Sequence, residues 1–589
     1  MSGELSPTTA RLNTLAQRCD EHPFRGRSVS VVNDLSTEEQ LFLYEAARKL
    51  KQAVQNGESH TDFQLSDSDI AVYLIFMENS TRTKESFRNA ASYHGCKVNV
   101  FDCATSSFQK KETITDTIKM LCGYSVGQSL FVVRSNLEGT CRWLADAMAE
   151  HNRCNDIPRS SFINAGDGRH EHPTQEFLDE FSFLEHKNWD RSSIHLALIG
   201  DLFHGRTVHS KVDGLKIFAK VEVDLVAPAE IGMPPEYVSR MEALGYTVRK
   251  FESIDEYLTG DHVAPIWYFT RLQLERMGER VLDRLEALRN SVCFRRDQQS
   301  KLPPNTRFYH PLPRNAECPT IPFWLDDTPL NGWDRQSQNG YYTRIVLLGM
   351  LGGKLGADFK GRRTPQSVTT ATPQVKFHTD NWGAPNFVEQ VVAPFALGGL
   401  GGGKPETSGG YGAGAAQDKI ECDDGIVVDN VGRGSPVVKI WDQLYRIRRI
   451  LSWNVIGSHA VHQGDQNFGR IVLPNVEISF LDGKTVKKLA AMAPETELKV
   501  IKGGKVVSRY RLHMPPRIYN FPNIVCRNKA CISNPTSMQR EVVPYFERAP
   551  GAPPKSKEDA DEVAKRYLLL CRYCERPHEF SEIWTMQDL

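Results

Sequence analysis

The stretch Ala71-Val72-Tyr73-Leu74-Ile75-Phe76-Met77, followed two residues later by Ser80-Thr81-Arg82-Thr83-Lys84, decides how the first half of the chain is read. An unbroken apolar run of this length suits a strand buried on both faces and is far too short to cross a bilayer. Three hydroxyls and a guanidinium then stand where a helix is expected to begin. A helix N-terminus offers unpaired N–H groups and a partial positive charge, so this junction is a cradle for phosphate.

Working outward, residues 35 to 355 alternate β-rich runs with amphipathic stretches, the pattern of parallel α/β domains. Strands are expected at 71–77, 129–133, 195–200, 222–226, 265–269 and 307–310, and helices at 83–93, 112–124, 138–150, 174–185 and 272–288. The pattern breaks near 186–193, which predicts two α/β domains with a cleft between them, where ligands gather. Residues 398–414 hold nine glycines among seventeen and read as a linker. Beyond 419 short alternating runs at 425–431, 437–440, 476–480 and 497–501 predict strands of an α+β domain reaching to about 520.

The 589 residues correspond to about four domains. Seventy-two Lys plus Arg balance seventy-two Asp plus Glu, so there is no global field for gripping nucleic acid. No membrane span and no N-terminal targeting pattern are read, which predicts a cytoplasmic protein. Of thirteen cysteines, nine are scattered; Cys526 and Cys531, with four residues between them, and Cys571 and Cys574, with two between them, form a set that suits tetrahedral zinc with no open position.

Further polar groups fall where strand ends are expected. Ser106 and Lys110 lie in a cationic loop before a helix, and Arg134 closes a strand. Asn164–Gln175 is a Gly-rich turn in which His172, held by Pro173, suits a hydrogen-bond donor better than a metal ligand. Arg206 and Arg271 each follow a strand, and two planar guanidinium forks in one domain suit a dicarboxylate. His310-Pro311-Leu312-Pro313-Arg314 follows the last strand.

The strings STRT (80–83), SSxxKxET, HPTQ (172–175), GDLxxGRTVHS, TRxQ (270–273) and HPLPR (310–314) occur in the order seen in the catalytic chain of aspartate carbamoyltransferase, and residues 419–589 resemble that enzyme's regulatory chain. The resemblance implies two parallel-sheet α/β domains, carbamoyltransferase-like, followed by an α+β regulatory domain and a small four-cysteine zinc domain. It implies a carbamoyl-phosphate domain at 1–185 completed by a helix at about 338–356, an aspartate domain at 186–337, a linker at 357–418, a nucleotide-binding-like domain at 419–520 and a zinc domain at 521–589. By motif, Ser80, Thr81, Arg82, Thr83, Arg134, His172, Gln175 and Leu312 would hold carbamoyl phosphate, with Ser106 and Lys110 entering a neighbouring subunit's site. Arg206, Arg271 and Gln273 would hold L-aspartate, and Arg82, Thr83, Arg134 and His172 would act in catalysis. A homo-oligomer built on a catalytic trimer with shared sites follows, together with one structural zinc per chain and no catalytic cofactor. A nucleotide effector would meet Asp429, Arg509 and Arg511, although Ile471 and Asn475 stand where the family usually has lysines. The competing readings are carbamoyl transfer to ornithine or another amino acid, and a zinc-ribbon scaffold with an inactive transferase-like portion.

Overall fold

A computed structural model of the chain describes residues 22–65, 69–102, 112–273, 284–316, 319–364, 388–390, 422–451, 457–463, 466–481, 483–519, 521, 523–549 and 567–585. It divides into two compact units, Met1–Thr370 and Ala371–Leu589.

In the first unit, β1 (Ala71–Phe76), β2 (Lys97–Asp102), β3 (Ser129–Ser135) and β4 (Ser161–Asp167) form a parallel sheet in the order β2-β1-β3-β4. Helices at Thr81–Tyr93, Ile114–Cys122 and Thr140–Cys154 make the crossovers that parallel pairing requires. Every residue of β1 is buried, which accounts for its unbroken apolar sequence. From β1 the chain steps to β2 on one side and then to β3 on the other. The reversal makes a switch point beyond the C-terminal ends of β1 and β3, and a crevice opens there in sheets of this kind.

The Pro173–His186 helix leads to a second parallel sheet, β5 (Ile194–Ile199), β6 (Val221–Val226), β7 (Thr247–Phe251), β8 (Ile266–Phe269) and β9 (Arg307–Tyr309), ordered β7-β6-β5-β8-β9. Its strand order reverses between β5 and β8. The Trp333–Leu351 helix then returns to the first domain and packs on the helices Thr37–Asn56, Thr81–Tyr93 and Pro173–His186. The chain therefore crosses between the two sheets twice.

The second unit holds an antiparallel sheet built from β10 (Val388–Gln390), β11 (Gly425–Val431), β12 (Gly457–Gln463), β13 (Gln466–Pro474), β14 (Glu497–Lys502) and β15 (Lys505–Leu512), with helices at Val437–Ile450 and Gly483–Met492. A smaller antiparallel sheet of β16 (Arg517–Tyr519), β17 (Tyr545–Arg548), β18 (Leu568–Cys571) and β19 (Pro577–Glu579) follows. The fold class is the expected one: two parallel α/β domains, then antiparallel sheets and a four-cysteine cluster.

Three local expectations change. Val437–Ile440 is helical, because Ile440, Leu444, Ile447 and Ile450 bury one face at helical spacing and outweigh the β-branched start. Residues 476–480 give only a short 3-10 turn, Ile478–Phe480. The helix expected at 272–288 is absent at Leu272 and Gln273, and a helix is present at Leu285–Val292. Residues 274–283, between them, and the glycine-rich stretch 398–414 lie outside the described residues.

Candidate active site and zinc centre

The two switch points face one cavity of about 1490 Å³. Ser80, Thr81, Arg82, Thr83, Arg134, His172, Gln175, Arg206, Arg271, Gln273 and Leu312 all line it, whereas Ser106 and Lys110 fall outside the described residues.

The helix after β1 starts at Thr81, two residues before the expected position, so Thr81, Arg82 and Thr83 occupy its first turn. Ser80 is its N-cap in extended conformation and its side chain makes no capping bond. No acidic residue stands in that turn, so its partial positive charge is not offset locally. Arg134, on β3, is level with Phe76 at the end of β1 and donates from Nη1 to the Ala165 carbonyl at 3.1 Å.

From the other domain, Arg206 opens the short Arg206–His209 helix and donates to the Gly168 carbonyl at 3.0 Å. The Glu78 carboxylate bridges the two guanidiniums, 3.4 Å from Arg134 Nη2 and 3.3 Å from Arg206 Nη1. Gly166 makes their convergence possible. Its φ of +109° is foreign to side-chain-bearing residues, and a Cβ there would lie 3.0 Å from Arg206 Cζ and 3.1 Å from Arg134 Nη1.

His172 is the N-cap of the Pro173–His186 helix, and its backbone N–H donates to Ser210 Oγ at 3.0 Å, tying the turn to the Arg206 segment. Burial, reinforced by Arg206, Arg134 and Arg344, holds its imidazole well below the usual histidine range. It is therefore a neutral hydrogen-bonding group near neutral pH. Gln175 Nε2 donates to Asp179 Oδ1 at 2.9 Å. Leu312 has φ +53° and donates its N–H to His310 Nδ1 at 2.7 Å, an imidazole that burial and the nearby Arg314, Arg82 and Arg271 push down to about 3.

Arg271 and Gln273 follow β8. Asp201, fully buried after β5, accepts the Gln273 N–H at 3.3 Å and pairs with His204 at 3.0 Å. One carboxylate thus joins the two loops of the second switch point. Glu78, Asp201 and Arg344 were not picked out from the sequence.

In the second unit Asp429 is buried and accepts from Arg470 at 3.0 Å and Lys499 at 2.7 Å. These cations hold its carboxyl below the usual range despite burial. Arg509 lies opposite Lys499 across the β14–β15 pairing, and Arg511 pairs with Glu497 at 3.8 Å.

The sulfurs of Cys526, Cys531, Cys571 and Cys574 are buried and lie within 4.8 Å of one another. Cys526 Sγ is 3.7 Å from Cys574 Sγ, and Cys531 Sγ is 3.8 Å from Cys571 Sγ. A tetrahedron of Zn–S bonds of about 2.3 Å has edges of about 3.8 Å, so the donor set and its spacing both fit zinc. His578 Nε2 lies 3.4 Å from Cys526 Sγ. Such a ring N–H can steady a metal-bound thiolate.

Two parallel α/β domains with a cationic crevice at each switch point define the carbamoyltransferase class, and residues 27–185 match the family model described as aspartate/ornithine carbamoyltransferase, carbamoyl-P binding domain. Protein PyrBI of Thermotoga maritima is 45% identical over 569 residues, covering 96% of this chain and 99% of that protein. Protein PyrBI of Treponema denticola is 45% identical over 572 residues, with the same coverage. The aspartate carbamoyltransferase catalytic subunit of Methanosarcina barkeri is 32% identical over 332 residues, 56% of this chain and 98% of that subunit. The chain belongs to the PyrBI family of aspartate carbamoyltransferases, with a catalytic region followed by a four-cysteine, zinc-binding regulatory-type region.

Proposed function

We propose that the cavity of the first unit carries out the family reaction, carbamoyl phosphate plus L-aspartate giving N-carbamoyl-L-aspartate and phosphate, with the following division of labour. The phosphate rests on the first turn of the Thr81–Tyr93 helix with Ser80, Thr81, Arg82 and Thr83. The carbamoyl group meets Arg134, His172, Gln175 and the Leu312 carbonyl. Arg206 takes the α-carboxylate of L-aspartate, and Arg271 with Gln273 the side-chain carboxylate. The observation that carries this reading is that all of these residues, from both switch points, line a single cavity.

The deprotonated α-amine attacks the carbamoyl carbon. An N–C bond forms, and the oxyanion is met by Thr83, Arg134 and neutral His172. The C–O bond to phosphate then breaks, and the proton lost by the nitrogen leaves with phosphate. Arg82 and the helix N-terminus stabilise that leaving group, and juxtaposition of the substrates supplies much of the acceleration. Before substrates bind, Glu78 offsets the mutual repulsion of Arg134 and Arg206. Arg271 beside the amide of Gln273 favours an anionic acceptor over ornithine.

In the same reading residues 1–185 with the returning helix form the carbamoyl-phosphate domain, 186–337 the aspartate domain, 419–520 the regulatory domain and 521–589 the zinc domain. Ser106 and Lys110 complete a neighbouring subunit's site in a catalytic trimer. The apolar side chains Val100, Met120, Tyr124 and Val126 lie near that segment in sequence and are exposed, Tyr124 and Val126 each at 69%, which supports a subunit contact there. A nucleotide effector docks near Asp429, Arg509 and Arg511, and titration calorimetry of the full chain with CTP and ATP tests this; absence of heat up to millimolar nucleotide refutes it. A cytoplasmic location fits cysteines that form no disulfides among the described residues. The central test incubates the protein with carbamoyl phosphate and either L-aspartate or ornithine. Carbamoyl-aspartate with stoichiometric phosphate is the expected product, and carbamoyl-ornithine alone refutes the acceptor assignment.

A further inference from the structure

The Pro173–His186 helix is buried on nearly all sides, yet it carries Glu176, Asp179 and Glu180, all fully buried. Lys211 pairs directly with two of them, and the buried Arg344 also interacts with Asp179. Lys211, also fully buried and carried by the second domain, donates to Glu176 Oε2 and Asp179 Oδ2, each at 2.9 Å, and its ammonium lies 4.1 Å from the Tyr268 ring centroid. The packing is built around this contact, for a Cβ on Gly214 would come within 2.1 Å of Glu176 Oε1. Burial and the adjacent Glu176 push Glu180 well above the usual carboxylate range. Lys211 is thus the counter-ion of Asp179 and Glu176, and such an arrangement is retained at a cost in desolvation.

The other oxygen of Asp179 determines what this achieves. Asp179 Oδ1 accepts from Gln175 Nε2 at 2.9 Å and from Gln336 Nε2 at 2.6 Å, while Gln336 Oε1 accepts the His310 N–H at 2.9 Å. The His310 N–H can only donate, which places the oxygen of Gln336 there and its NH2 group on Asp179. Asp179 is then an acceptor twice over, as an ionised carboxylate must be. The amide of Gln175 has no choice either: its NH2 group faces Asp179 and its carbonyl end is left for the cavity. We propose that Lys211 is a positioning residue for carbamoyl transfer, which by pinning Asp179 keeps the carbonyl of Gln175 turned toward the NH2 group of the carbamoyl substrate. This rests on the proposed place of Gln175 beside the carbamoyl group.

The test uses titration calorimetry of the full chain with two probes. Phosphonoacetamide carries an amide NH2 group beside its phosphonate, and inorganic phosphate lacks one. The variants are Lys211→Met, Lys211→Met/Glu176→Gln and Gln175→Met. The double variant removes one charge of each sign, so the net charge of the buried cluster is the same as in wild type should the single one fail to fold. Wild type should prefer phosphonoacetamide. The Lys211 variants should lose about tenfold in affinity for phosphonoacetamide, the scale of one hydrogen bond in a dry site, and less than about twofold for phosphate. A folded double variant that keeps the wild-type ratio, or weakens both probes equally, overturns the inference. If Gln175→Met alone loses the preference, the carbamoyl reading stands and the role of Lys211 falls. If wild type shows no preference, both fall.

Discussion

Replacing Gly166 by alanine should damage catalysis more than stability. At φ +109° an alanine sits in a backbone region that costs about 1–3 kcal/mol. For a unit of this size that lowers the melting temperature by several degrees, at about 2–4 °C per kcal/mol. The larger consequence is geometric. The new methyl would stand 3.0 Å from Arg206 Cζ and 3.1 Å from Arg134 Nη1, whereas relaxed contacts begin near about 3.5 Å, so each guanidinium must retreat by about 0.5 Å. A misplacement of about 1 Å can cost about a hundredfold in rate, so half that distance, applied to the groups proposed to receive the oxyanion and the aspartate α-carboxylate, should cost about tenfold in kcat/KM. The assay is steady-state carbamoyl-aspartate formation at saturating carbamoyl phosphate, paired with a thermal melt. A cooperatively folded Gly166→Ala protein with kcat/KM within about twofold of wild type would refute the argument that Gly166 exists to let the two arginines converge.

Other outcomes follow from the same geometry. Arg271→Gln should raise KM for L-aspartate by at least about tenfold and leave inorganic phosphate affinity unchanged, as for loss of one charge-assisted contact; equal loss for both ligands would place Arg271 elsewhere in the reaction. Burial holds His94 down to about 4 and His310 to about 3 against an unfolded value of 6.5, so the unfolded chain takes up protons first as pH falls. Stability of the first unit should be complete above pH 6.5 and decline as pH falls toward 4, by up to about 1.4 kcal/mol per pH unit for each histidine. Denaturant midpoints that stay flat between pH 6.5 and 4 would contradict this. Cys571→Ser should abolish stoichiometric zinc, and His578→Ala should weaken zinc affinity about tenfold to a hundredfold, read with a chromogenic chelator; unchanged competition by the chelator would remove His578 from the zinc site.

What the sequence disclosed, and what it concealed, follows the range of the interactions concerned. Ser80–Thr83 and Arg134 could be read because their meaning is local, a polar group at the end of an apolar strand. Glu78 stands between the same strand and helix but carries no such signal, since its partners Arg134 and Arg206 come from two different switch points. Asp201 was hidden for the same reason, joining loops after β5 and β8. The acidic face of the Pro173–His186 helix did leave a trace: Glu176, Asp179 and Glu180 share a face of a helix whose Phe177, Leu178, Phe181, Phe183 and Leu184 are also buried. A helix with no solvent side has nowhere to expose three acids, and that pattern calls for a buried cation. The difference at Val437–Ile440 comes from too short a window, for three β-branched residues in four resemble a strand until Leu444 and Ile447 extend the helical period.

The double passage of the chain between the two sheets of the first unit, once after His186 and again before Trp333, bears on how the crevice can shut. A body hung from one pivot can swivel as well as swing, whereas one hung from two can only swing about the line through them. Any approach of Arg206 and Arg271 toward Arg134 and Thr83 should therefore follow a single arc, so an empty crevice and a filled one should differ in aperture more than in alignment.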